Sequence, residues 1–136
     1  MIDDATAAYI VENQKCFEDL KQVASQLAGL LVLEASGSKE AAPDHPMLGT
    51  VRELFREAED ALRRARPTER ARRHHQHLTK AARLIGAALQ KRCAGGGDIL
   101  IPLRAGYTEL ERAADALPGF EKVSYHGACC ARGVHA

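Results

Sequence analysis

The residues best equipped for chemistry in this chain are its six histidines and four cysteines, and they are unevenly placed. His74, His75 and His77 stand almost side by side, and His126, Cys129, Cys130 and His135 gather near the C-terminus. Imidazole is a common ligand for zinc, copper and nickel, and its ordinary pKa lies close to neutrality, so the first group is a candidate for metal binding or for proton and phosphoryl chemistry. Helical spacing argues against a shared metal. Residues one and two apart on a helix do not face each other, and the neighbours three or four positions away include Arg70, Ala71, Leu78 and Ala81, none of them a ligand. His45 is the one further histidine that the fold has to bring in. There is no Glu-x-x-His pair of the kind that carboxylate-bridged bundles use. The C-terminal set His126, Cys129, Cys130 and His135 offers donor types that suit zinc or copper(I), but adjacent cysteines do not reproduce the usual zinc spacing. Cys16 and Cys93 read as small buried hydrophobes. Gly95-Gly96-Gly97 lacks the Lys-Ser/Thr of a phosphate-binding loop, and no serine or cysteine has an identifiable His/Asp partner, so neither a cofactor nor an enzymatic activity is expected.

His77 is followed three residues later by Lys80, which shares its helix face and can offset negative charge on a phosphorylated imidazole. Over residues 51–86 the chain loosely resembles histidine-containing phosphotransfer domains. Ala81 stands where that family usually has Gly, and Gly86 falls one residue short of its later Gly. The resemblance implies a helical bundle with His77 as phosphoacceptor, Lys80 as its electrostatic helper and a receiver domain as partner.

Charge is polarised along the chain. Of its 19 Lys and Arg, ten fall in residues 63–92 beside a single acid, Glu69, which leaves nine against 17 acids elsewhere. Arg66, Arg70 and Arg73 are expected to share one helix face as a basic interaction surface. With no aromatic side chains between them and no reading-helix motif, a nucleic-acid interface ranks behind an acidic protein surface as their counterpart. The acids at 3, 4, 12, 18 and 19, or at 53, 57, 59 and 60, are an internal counterpart for the same charge.

Helices must position all of these groups. Aromatic residues make up 4% of the chain and Trp is absent, which suits close helix packing better than a sheet. Leu20, Val23, Leu27, Leu30 and Leu31, extended upstream by Tyr9, Cys16 and Phe17, predict a first helix over 4–34 that ends at Ser36-Gly37-Ser38. Leu48, Val51, Phe55, Ala58, Leu62 and Ala65 predict a second over 46–65, stopped by Pro67. Thr68 caps a third over 68–93 with Ala71, His75, Leu78, Ala82, Ile85 and Leu89 inward. Asp98 caps a fourth over 99–117 with Leu103, Tyr107, Leu110, Ala114 and Leu117 inward. The short connections make neighbouring helices antiparallel, so the expectation is all-α: an antiparallel four-helix bundle over 1–119 and an irregular tail over 120–136, from which Phe120, Val123 and Tyr125 can lie as a strap.

The leading expectation is a cytoplasmic, non-enzymatic protein-protein interaction or adaptor module. No stretch is apolar enough for a membrane span, no basic leader opens the chain, and the cysteines are not spaced as a disulfide framework. Its partner is expected to be acidic, and a homodimer is compatible with the apolar seams. Histidine phosphotransfer, nucleic-acid binding along residues 63–92, and a metal or thiol site in the tail are the alternatives.

Overall fold

The computed structural model describes residues 2–37, 46–95 and 97–122. Four helices account for most of them: α1 (Asp4–Ala35), α2 (Pro46–Arg64), α3 (Arg72–Cys93) and α4 (Leu100–Ala116). The Asp3 carboxylate caps α1 by accepting from the Thr6 N–H at 2.7 Å, and Pro46 opens α2 where its missing N–H is no loss. The chain leaves α3 through Gly95 at φ 84°, a left-handed conformation that stops the helix without a side-chain penalty. No helix among the described residues is long and apolar enough to cross a membrane.

Cross-helix contacts give the directions. Thr6 meets Thr68 and Cys16 meets the Ala58 carbonyl, so α2 runs back along α1. Arg52 and Cys93, with Phe55 and Gly86, pair α2 against α3 in the same antiparallel sense. Gly106 lies on Ile85 and Glu109 on His77, which reverses α4 on α3. Tyr107 reaches Ser25 while Gln14 reaches Gly119, so α4 also runs against α1. The result is an up-down-up-down bundle. Arg92, near the end of α3, faces Glu34, near the end of α1, as parallel diagonal helices require.

α3, like α1, packs on all three other helices, and its most extensive contact is with α4, whereas α2 and α4 are not packed on each other. That position explains where the expected seams fall short. Leu78, Ala82, Ile85 and Leu89 are buried as expected, but a second stripe of His74, Ala81, Ala88 and Arg92 is buried too. His75, expected on the seam, is only half-buried, and His74 takes the inward position instead. On α4 the buried set likewise includes Gly106, Glu109 and Ala113, while Tyr107 is half-buried.

α3 and α4 approach each other closely at Gly106. A Cβ there would lie 2.8 Å from Cγ1 of Ile85, inside van der Waals distance, so α4 approaches α3 more tightly than any larger residue allows. Gly29, in the interior of α1, has nothing within 4 Å. Opposite outcomes are expected from one chemical change. Gly106→Ala should destabilise the fold by roughly 1–2 kcal/mol, overpacking outweighing the gain in helix propensity. Gly29→Ala should stabilise it by about 0.5–1 kcal/mol. Urea unfolding of the two variants checks this, and equal stabilisation by both would mean that the α3–α4 approach is looser than described here.

Candidate functional site

Three histidines at the start of α3 meet three different surroundings, because each residue turns the helix by about 100°. His74 points into the bundle. Its Nδ1 lies 2.8 Å from the Tyr9 hydroxyl, and its ring stacks on Phe120 with centroids 4.0 Å apart. Phe17 closes the cluster edge-on to Phe120. Phe120, the first residue of the expected tail, is therefore part of the core. Burial, helped by the neighbouring charges of His75 and His77, pushes the His74 imidazole down to about 4, so the ring is neutral near pH 7. Burial raises the Tyr9 phenol well above its ordinary value and keeps it protonated. Tyr9 is then the donor and Nδ1 the acceptor, which places the imidazole proton on Nε2, a buried atom without a partner among the described residues. This is a structural histidine.

His77 lies on the other side, facing α4. Its Nδ1 is 2.7 Å from Oε2 of Glu109, and Nη1 of Arg112 donates to Oε1 of the same carboxylate at 2.8 Å. Burial pushes the Glu109 carboxyl upward, but the hydrogen bonds from His77 and Arg112 outweigh it and hold the group below the ordinary carboxylate range. An ionised carboxylate only accepts, so Nδ1 of His77 carries a proton in either charge state of the ring. Nε2 is left over. It has no partner among the described residues, and it is not sealed from water as Nε2 of His74 is. It can serve as a lone pair when the ring is neutral and as an N–H donor when the ring is charged.

The ring lines an open cleft of about 510 Å³ between α3 and α4, together with Arg73, Arg112, Asp115 and Ala116. Asp115 is engaged by Lys122 at the edge. Arg73, one helical turn before His77, has no ion-pair partner among the described residues. Lys80 lines a different depression, with His75, Gln76, Thr79 and Arg83. The cations that share the cleft with His77 are therefore Arg73 and Arg112. Glu109 lies 32 residues from its histidine, and its only mark in the sequence is an acid set among the small and apolar residues Gly106, Leu110 and Ala113 of one α4 face.

The basic surface also differs from its expected geometry. α3 begins at Arg72, so Arg66 and Arg70 belong to the connection over 65–71 and do not share a helix face with Arg73. Thr68 still acts as a cap, but on the turn before the helix, accepting from the Ala71 N–H at 3.3 Å. Arg66, Arg70 and Arg73 are all exposed. Within residues 63–92, Arg63 pairs locally with Asp60 and Arg72 with Glu69, and among the described residues only Arg92 reaches an acid on α1 or across from α3 to another helix besides the His77 contact. Asp60 of α2 and Glu34 of α1 thus each take one arginine, and Arg64, Arg66, Arg70 and Arg73 have no ion-pair partner among the described residues.

Among the described residues no group of three or more His, Cys, Asp or Glu is placed to hold a metal ion. Cys16 is buried as expected and Cys93 is partly buried; both are free thiols. His45, His126, Cys129, Cys130 and His135, with Val123 and Tyr125, lie outside the described residues. Comparison with protein-family models, curated proteins and solved structures returns no match.

His74 gives the site region a pH dependence of definite sign. A base held at about 4 in the fold and at 6.5 when unfolded binds more protons in the unfolded chain between those values. Its stabilising contribution is complete above pH 6.5 and is lost as pH falls toward 4, on the order of 3 kcal/mol in all. Urea unfolding should show stability declining across that window. A Tyr9→Phe/His74→Leu double variant, which removes both hydrogen-bonding partners together, should stay folded and lose most of the decline. An unchanged slope in that variant would assign the pH dependence to other groups.

Proposed function

We propose that this chain is a non-enzymatic interaction module that binds an acidic protein through the arginine-rich turn joining α2 to α3. One observation carries the reading: Arg64, Arg66, Arg70 and Arg73 are exposed around a single turn and have no ion-pair partner among the described residues. Like charges held together destabilise the free protein and are relieved by a complementary surface. Arginine suits such a surface because its planar fork meets carboxylates with two hydrogen bonds. The cytoplasm is the compartment that fits, given the free thiols Cys16 and Cys93. The histidine phosphotransfer reading draws less from the geometry, since Lys80 lines another depression than His77.

Binding of this kind is salt-sensitive. A partner retained on the immobilised protein at low ionic strength should be released at about 0.5 M salt, where screening acts over only about 4 Å. Reversing the charges in an Arg66→Glu/Arg70→Glu/Arg73→Glu variant should weaken retention at least tenfold. Retention that survives the reversal unchanged would overturn the proposal. Retention that disappears on nuclease treatment would replace it with nucleic-acid binding.

A further inference from the structure

The α3–α4 cleft has a more specific chemistry than the exposed turn beside it. Glu109 ties down Nδ1 of His77 and one nitrogen of Arg112, which fixes both side chains at the cleft without using Nε2 of His77 or the second terminal nitrogen of Arg112. Holding a side chain in place before a ligand arrives reduces the entropy lost on binding. Arg73 supplies a second guanidinium from α3, one turn away and uncompensated. Of the two acids at the cleft, Glu109 is shared between His77 and Arg112, and Asp115 is engaged by Lys122. The unused hydrogen-bonding capacity on the cleft wall is thus mainly that of donors.

We infer that this cleft binds a phosphate monoester, with the guanidinium groups of Arg73 and Arg112 donating to its oxygens beside the ring of His77. Three properties favour this class. The donors come from both walls of the cleft, which suits a tetrahedral anion more than a flat carboxylate. Arginine forks bind phosphate oxygens in pairs, with charge-assisted bonds about twice as strong as neutral ones. The opening, at about 510 Å³, leaves room for the group that bears the phosphate as well as the phosphate itself. No covalent step is involved. The site shares Arg73 with the docking surface proposed above and is otherwise separate from it, since Arg66 and Arg70 do not line the cleft.

Nitrogen-15 NMR of the histidine rings, followed during titration of the full chain, reads the site directly. Inorganic phosphate, a phosphoserine peptide and the same peptide unphosphorylated are the probes. Phosphate-bearing probes should shift the His77 ring signals saturably, and the unphosphorylated peptide should not. Arg112→Gln, an exposed change that removes the guanidinium while keeping both His77 and Glu109, should weaken binding at least tenfold, and Arg73→Gln should act similarly. Arg66→Glu/Arg70→Glu should leave the shift in place even where it abolishes capture of an acidic partner, which separates failure of one reading from failure of the other. Tighter binding of the phosphopeptide than of phosphate supports a modified protein side chain as the source, and equal binding supports a small phosphate ester. No saturable shift at His77 with either phosphate probe, or an unaltered affinity in both Arg112→Gln and Arg73→Gln, would overturn the inference.

Discussion

The tight approach of α4 to α3 at Gly106 is the constraint on which the other features rest. A single absent Cβ lets Ile85 sit against the α4 backbone, and it permits the close approach of the two helices at this point. Glu109 lies three residues beyond Gly106 and His77 two turns before Ile85, so the register that seats Ile85 also brings carboxylate and imidazole to 2.7 Å. With a wider spacing, Glu109 would be a half-buried acid in need of water. At this spacing it is an ionised hydrogen-bond acceptor that orients two donors at one cleft.

The same geometry divides the labour among three nearly adjacent histidines. His74 supplies shape and a hydrogen bond to the core, linking α1 through Tyr9 to the end of α4 through Phe120. His75 is half-buried, with burial lowering its basicity, and it lines a separate depression. His77 alone has one nitrogen paired and the other free to meet a ligand. Helical rotation, rather than any difference in residue type, assigns the three roles.

Much of the bundle was legible in the sequence because its stop signals are explicit. Pro46 and Pro67, and the glycines after residues 36 and 94, delimit the helices to within a residue or two at most ends. The start of α3 was less legible, since Thr68 caps a turn that precedes the helix, and a capping side chain reads alike in both settings. The seam of α3 misled in a different way. A 3-4 spacing describes a helix with one buried stripe, but a helix touching three neighbours buries two, and this is why His74 rather than His75 points inward. The His77–Glu109 pair was not legible at all. It depends on the α3–α4 register, and nothing local to either residue encodes it. The basic turn was legible as charge but not as shape, because Arg66 and Arg70 lie outside the helix that their spacing implied.

The chemistry of the cleft depends on the proton that Glu109 holds on Nδ1 of His77, because that proton is what leaves Nε2 for a ligand. Long-range nitrogen–proton correlation NMR of the imidazole rings distinguishes the two neutral forms of histidine in the unliganded protein. At a pH where His77 is neutral, the structure requires the Nδ1–H form at His77, and this preference should disappear in Glu109→Ala. His77 found as the Nε2–H form in the wild-type protein, or unaffected by the loss of Glu109, would show that Glu109 does not orient the ring.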